Sequence, residues 1–194
     1  MTLRRILHRL AAPAAIALLA VLPMSCMSET TWDAYETWRK ENNEWYNAKR
    51  ELKNADGTPY YKALSPDWYP ESGVLIHYFN DRKLTEGNLS PLMTSTVDMV
   101  YIGRLYNDTI FDSSYSSTAS YGDSIFRTQP NSVIDGWQIA LNDMRVGDTC
   151  EVIIPYPQAY GSSGQGSIPP YSALRFNMKL VRIAAYEIPE SSLD

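Results

Sequence analysis

VDMVYIGRLYNDTIFDSS, residues 97–114, is followed by SVIDGWQIALNDMRVGD, residues 132–148, and AYGSSGQGSIPPYSALRF, residues 159–176; these blocks carry most of what the 194-residue chain says about its architecture. From Thr96 to Leu105 the side chains alternate, with Val97, Met99 and Tyr101 on one face and Asp98, Val100 and Ile102 on the other, which is the period of a strand. Between Ile134 and Met144 the period changes. Trp137, Ala140, Leu141 and Met144 fall on one helical face, and Gly147 follows as a stop. Thr149 to Pro155 reads as another strand, in which Cys150 is expected to be buried as a small apolar group. Upstream, Ser72-Gly73-Val74-Leu75 leads into a strand-like run to Phe79 that holds His77, expected in a structural or surface role. Strands around a single short helix point to the α+β class.

Taken together, the blocks place Tyr101, Phe111, Asp112, Trp137, Tyr160 and Phe176 in an order and approximate spacing that resembles the FKBP-type peptidyl-prolyl isomerases, over nearly half of the chain. The resemblance implies an FKBP-like antiparallel β-sheet wrapped around one short α-helix, occupying residues 72–186, and a rotamase activity that needs neither cofactor nor metal. It also implies roles. Trp137 would form the floor under a proline ring, with Tyr101, Phe111, Val133, Ile134 and Phe176 as walls. The backbone N–H of Ile134 would donate to a substrate carbonyl, Tyr160 would offer its hydroxyl, and Ile168, before Pro169-Pro170, would close the rim. Asp112 would orient tyrosine hydroxyls and polarise the site rather than act as a base, because turning a peptide bond transfers no obligatory proton.

The chemistry suits such residues. Rotation about the bond before proline must cross a barrier of roughly 18–20 kcal/mol, because the amide loses its resonance as it twists. The twisted amide is less dipolar than the planar one, so an apolar, water-poor pocket binds it preferentially, and each tenfold in rate needs only about 1.4 kcal/mol of that preference. Three features depart from the family pattern. Counting back from Trp137 puts Ser124 where a second aromatic wall is common, with Phe126 near enough to take that place. The segment Ser113–Asp123 is longer than in short members, and the loop Gly161–Ser167 is shorter. These departures keep open an alternative, a non-catalytic FKBP-like chaperone that grips clients without turning proline.

The rest of the chain bounds the setting. Residues 1–25 read as an export signal, with Arg4, Arg5 and Arg9 ahead of an apolar run from Ala11 to Leu22 that is too short for a permanent span. Ser25-Cys26 at its end resembles a lipoprotein cleavage box. Cys26 is therefore expected to be lipidated, tethering a globular domain to a bacterial envelope membrane, periplasmic or at the outer-membrane surface; an ordinary cleaved signal is the other reading. The chain has 17 basic and 22 acidic side chains, and loss of three arginines with the signal leaves 14 against 22, a formal charge of −8. That is poor footing for nucleic acid. His8 and His77 are the only histidines, which argues against a histidine metal site or a Ser-His-Asp triad.

Residues 27–71 form an extension. Thr31 to about Lys53 predicts an amphipathic helix with Tyr35, Trp38, Trp45 and Leu52 along one stripe, a Thr30/Asp33 capping box and an Asp56-Gly57 stop. The stripe either packs on the isomerase domain or forms a homodimer seam or client-contacting arm; Asn42 and Lys49 interrupt it, against a long coiled coil. Asn54 to Ser72, rich in proline and aromatics, predicts an irregular connector, whose Tyr60 to Tyr69 segment could alternatively stack on sugar rings. Residues 187–194 form a tail. The partners implied are proline-containing polypeptides and, through the lipid, a membrane.

Overall fold

The computed structural model describes residues 30–67, 70–116 and 122–186. The expected signal, Cys26, Trp68 and Tyr69, part of the long segment before Asp123, and the expected tail lie outside the described residues. Among those described, seven strands follow in order: β1 (Lys62–Leu64), β2 (Val74–Tyr78), β3 (Thr96–Leu105), β4 (Ile110–Ser113), β5 (Phe126–Thr128), β6 (Thr149–Ile154) and β7 (Leu174–Ala185). The helices are α1 (Thr31–Ala34), α2 (Glu36–Glu51) and α3 (Asp135–Asp143).

All the strand pairs are antiparallel, in the order β1-β2-β6-β7-β3-β4, with β5 also on β3. β3 and β7 pair along their whole length, from Thr96↔Ala185 to Leu105↔Leu174. The free edge of β3 is shared: β5 covers Val97 to Met99 and β4 covers Ile102 to Arg104. Between them the Tyr101 N–H is satisfied by a side chain, donating to Ser114 Oγ at 3.0 Å. Tyr101 itself stays in the sheet, paired with Met178 of β7.

The alternation read from sequence is the burial pattern. Val97, Met99, Tyr101 and Leu105 of β3 and Leu174, Phe176, Met178 and Leu180 of β7 face inward onto α3, whose Trp137, Ile139, Ala140 and Leu141 are buried with Met144. Gly136 lets the helix approach β6, since a Cβ there would stand 2.4 Å from Ile154 Cγ2. Cys150 is buried beside Met144 Sδ at 3.7 Å, and burial pushes its thiol pKa up, as suits a small core group. One boundary and one burial differ from expectation. α3 ends at Met144 in an extended conformation, and Gly147, at φ +93°, turns the chain into β6 rather than stopping the helix. Asp98, on the outer face, is nonetheless buried, clamped by Arg127 through both carboxylate oxygens (2.6 and 2.9 Å) and by Arg182 at 2.7 Å.

The N-terminal helix is two helices. The Thr30/Asp33 capping box starts α1, and the chain breaks at Tyr35 before α2. Asp56-Gly57 is not the stop: α2 ends at Leu52, and these residues form the tip of a loop closed by a Lys53↔Pro59 bridge. α2 lies on its own domain. Trp38 packs against the main core, while Trp45 and Tyr46 join Tyr60 over a second cluster of Tyr61, Leu75 and Ile153. Asn42, read as an interruption of the stripe, is 1% exposed and is a point of attachment. The connector contains β1, which extends the sheet. Tyr60 and Tyr61 are engaged in the fold: Tyr61 donates to Glu151, and Tyr60 stacks on His77 at 3.9 Å and 9°.

Candidate active site

An aromatic cup opens where β3 changes partners. Tyr101 points inward from β3 and meets Trp137, in the first turn of α3, edge to face at 5.0 Å and 88°. Trp137 stands at 5.3 Å and 90° to Phe176 of β7, and Phe111 of β4 closes on the same Phe176 at 5.5 Å and 89°. Such perpendicular pairs each contribute about 0.5–1.5 kcal/mol beyond the area they bury. The register explains why these two phenylalanines meet. Gly103 of β3 sits opposite Phe176 and Asp112, and having no side chain it lets both rings fold over it. A Cβ at that position would lie 2.6 Å from Phe111 and 2.8 Å from Phe176.

The cavity, about 320 Å³, is also lined by Val133, Ile134 and Ser132 just before and at the start of α3, by Asp112, and by Tyr160 on the loop after β6. Phe126 completes it. The β5 register, Met99↔Phe126, brings this ring to 5.4 Å from Tyr101 and 6.1 Å from Trp137. Ser124 does not line the cavity; at φ +63° it lies along a groove on the outer face of the sheet with Val100 and Ile102. Phe126 is thus the aromatic residue that takes the place counted to Ser124. Strand pairing, which a count back from Trp137 ignores, was the missing signal.

Of the residues singled out in the sequence, Tyr101, Phe111, Asp112, Val133, Ile134, Trp137, Tyr160 and Phe176 converge on this cavity, and Ile168 does not. Gln165 and Ile168 exchange backbone hydrogen bonds of 2.9 and 2.8 Å, a tight turn that folds the shortened loop back and buries the Ile168 side chain in the core. Cys26, expected from the sequence to be lipidated, lies outside the described residues.

The polar groups are few and arranged. Asp112 accepts from the Tyr101 hydroxyl at 2.5 Å through one oxygen and from the Ser113 N–H at 2.8 Å through the other. Burial, reinforced by that carboxylate, raises the Tyr101 hydroxyl pKa, and burial with the Asp112 charge raises that of Tyr160. Both phenols therefore remain protonated donors across the physiological range. Among the described residues no group pairs with the Tyr160 hydroxyl or the Ile134 N–H, so both are available to a bound chain. No cluster of three or more histidine, cysteine or acidic groups suited to a metal occurs among the described residues.

A cup walled by aromatic rings, with a tryptophan from a helix start and two open donors, has the shape and chemistry to take an apolar ring carried on an amide. Comparison with known proteins identifies the family. Residues 87–181 match the family model described as FKBP-type peptidyl-prolyl cis-trans isomerase. The chain is 35% identical over 173 residues to the macrophage infectivity potentiator of Trypanosoma cruzi, covering 87% of this chain and 82% of that one. It is 39% identical over 119 residues to the FKBP-type 22 kDa peptidyl-prolyl cis-trans isomerase of Escherichia coli, covering 58% of this chain and 51%, about half, of the relative. The crystal structure of a peptidyl-prolyl cis-trans isomerase from Pseudomonas syringae superposes with a TM-score of 0.60 at 27% identity, covering 77% of this chain and 95% of that one. The chain belongs to the FKBP-type peptidyl-prolyl cis-trans isomerases, with a rotamase function.

Proposed function

We propose that the aromatic cup is the catalytic pocket and that it turns prolyl bonds in exported polypeptides at a bacterial envelope membrane to which Cys26 is lipid-anchored. The proline ring sits on Trp137 between Tyr101, Phe111, Phe126 and Phe176, with Val133 and Ile134 at the mouth. The Ile134 N–H and the Tyr160 hydroxyl bond the chain's carbonyls, while Asp112 holds Tyr101 in place. Water exclusion by the aromatic walls favours the less dipolar twisted amide, and no proton need move. The observation that carries this assignment is the perpendicular packing of Trp137 against Tyr101 and Phe176 beneath two unpaired donors. The leader and Ser25-Cys26 support export and anchoring. Pairing of two copies through the arm would use Trp32 and Leu52, its exposed large apolar groups.

The test is the cis-to-trans rate of short Xaa-Pro peptides with the chain from Met27 onward, beside Trp137→Ala and Asp112→Ala. Acceleration that both substitutions weaken is expected. A folded chain that holds unfolded clients yet accelerates nothing would be a client-binding module instead. For the anchor, Cys26→Ser in the full precursor should move the protein from the membrane to the soluble fraction; unchanged membrane retention would refute lipidation there.

A further inference from the structure

The arm and the rim of the pocket are joined by polar bonds aimed at the loop backbone. Asn42 of α2 accepts from the Ala173 N–H at 2.8 Å and donates to the Trp38 carbonyl at 2.7 Å. One turn earlier, Trp38 Nε1–H donates to Ser172 Oγ at 3.1 Å, and that hydroxyl donates onward to the Pro169 carbonyl at 2.7 Å. Tyr171, between these contacts, has a left-handed backbone at φ +61°. A non-glycine residue keeps that conformation only where its surroundings enforce it. Here they do: the ring is edge-on to Trp32 of α1 and to Tyr156, both at 5.4 Å, and its N–H donates to the Gly161 carbonyl at 2.9 Å. Gly161 adjoins Tyr160, whose ring lines the cavity.

We infer that α2, through Trp38 and Asn42, positions the loop from Tyr160 to Ala173, so that the N-terminal arm sets how tightly the pocket holds the chain around proline. A helix that merely covered apolar surface would not need a buried amide at its centre, because burying an amide is unfavourable unless its donor and acceptor are both matched. Asn42 matches both, and one of its bonds fixes a loop N–H in direction and distance. Trp38 and Asn42 are positioning residues: neither lines the cavity, and they act on substrate through Ser172, Tyr171 and Tyr160. The inference rests on the cup being the prolyl site.

The variants are Trp38→Phe, which keeps a ring but loses the indole donor, Ser172→Ala, their double, and Asn42→Ala, all in the full mature chain. Kinetics with Xaa-Pro peptides should show KM raised about threefold to tenfold in Trp38→Phe and Ser172→Ala with kcat within about twofold. The double variant should be no worse than Ser172→Ala, because both act through one hydroxyl. Amide hydrogen exchange from Gly161 to Ala173 should quicken in each variant while the β3 and β7 amides keep their protection. Unchanged KM and unchanged loop exchange in folded Trp38→Phe and Ser172→Ala would overturn the inference and leave α2 as a cover. If the wild-type chain accelerates nothing, the prolyl reading fails, and quicker loop exchange without any effect on peptide affinity would overturn this inference with it.

Discussion

Phe126 lines the pocket and Ser124, two residues earlier, faces the groove on the other side of the sheet. Replacing each with alanine should therefore separate them. Phe126→Ala removes a wall that touches both Tyr101 and Trp137 and should lower kcat/KM about tenfold or more, a loss of roughly 1.4 kcal/mol of transition-state binding. Ser124→Ala should stay within about twofold; equal effects in a peptide assay would contradict the placement. The site residues legible in sequence share one property: Tyr101, Phe111, Asp112, Trp137 and Phe176 sit on strands and on α3, whose periods set their spacing, and Tyr160 follows β6 closely. Phe126 was ambiguous because it follows an enlarged segment, where residue counting fails and only the pairing with β3 restores the position. The role of Asn42 is hidden in the sequence for a different reason. A polar residue in an apolar stripe reads as an interruption until its partner, the Ala173 N–H, is known, and that partner is 131 residues away in the chain.

Elements show the same division between local and long-range information. The extents of β3 and α3 follow from their periods, but that α3 must lie close to β6 is visible only in the contact between Gly136 and Ile154. Ordinarily Gly→Ala inside a helix is favourable by about 1 kcal/mol. At Gly136 the added methyl would meet a fully buried isoleucine at 2.4 Å, and overpacking of this kind costs about 1–3 kcal/mol. Gly136→Ala should lower the thermal midpoint, and a rise would show that α3 is free to shift. The clamp on Asp98 binds three strands, since its carboxylate is on β3 and its arginines are on β5 and β7. Hydrogen bonding to Arg127, with a further contribution from Arg182, holds the Asp98 pKa below its ordinary value against the opposing effect of burial. A carboxylate with a depressed folded-state pKa contributes stability that is complete above the unfolded value, about 3.9, and is lost as pH falls through the lower folded value. Wild type should thus exceed Asp98→Asn in stability at neutral pH, with the gap closing only below about pH 4. Thermal unfolding from pH 7 to pH 2 measures this, and a gap independent of pH would remove the charge from the explanation.

Taken as a whole, the segment from Ser72 onward does not close its own surface. Among the described residues, 72–186 hold every strand except β1, yet Leu75 and Ile153 are covered by Tyr61, Trp45 and Tyr46, all contributed from before Ser72. Leu64 on β1 adds to the main core, and Trp38 packs against it. A chain beginning at Ser72 would uncover these groups and leave the outer edge of β2 without its partner, a liability for edge-to-edge association. Each buried apolar side chain of this size stabilises by about 1.5–3 kcal/mol, so losing Tyr61 and Leu64 alone removes several kcal/mol. For a chain of this length each kcal/mol moves the thermal midpoint by about 2–4 °C. The chain from Ser72 should therefore unfold on the order of 10 °C or more below the chain from Met27, and should self-associate more readily. Equal midpoints, with both species monomeric in sedimentation, would show that the arm is energetically separate from the domain. Its contacts with the rim would then have little bearing on how the pocket is held.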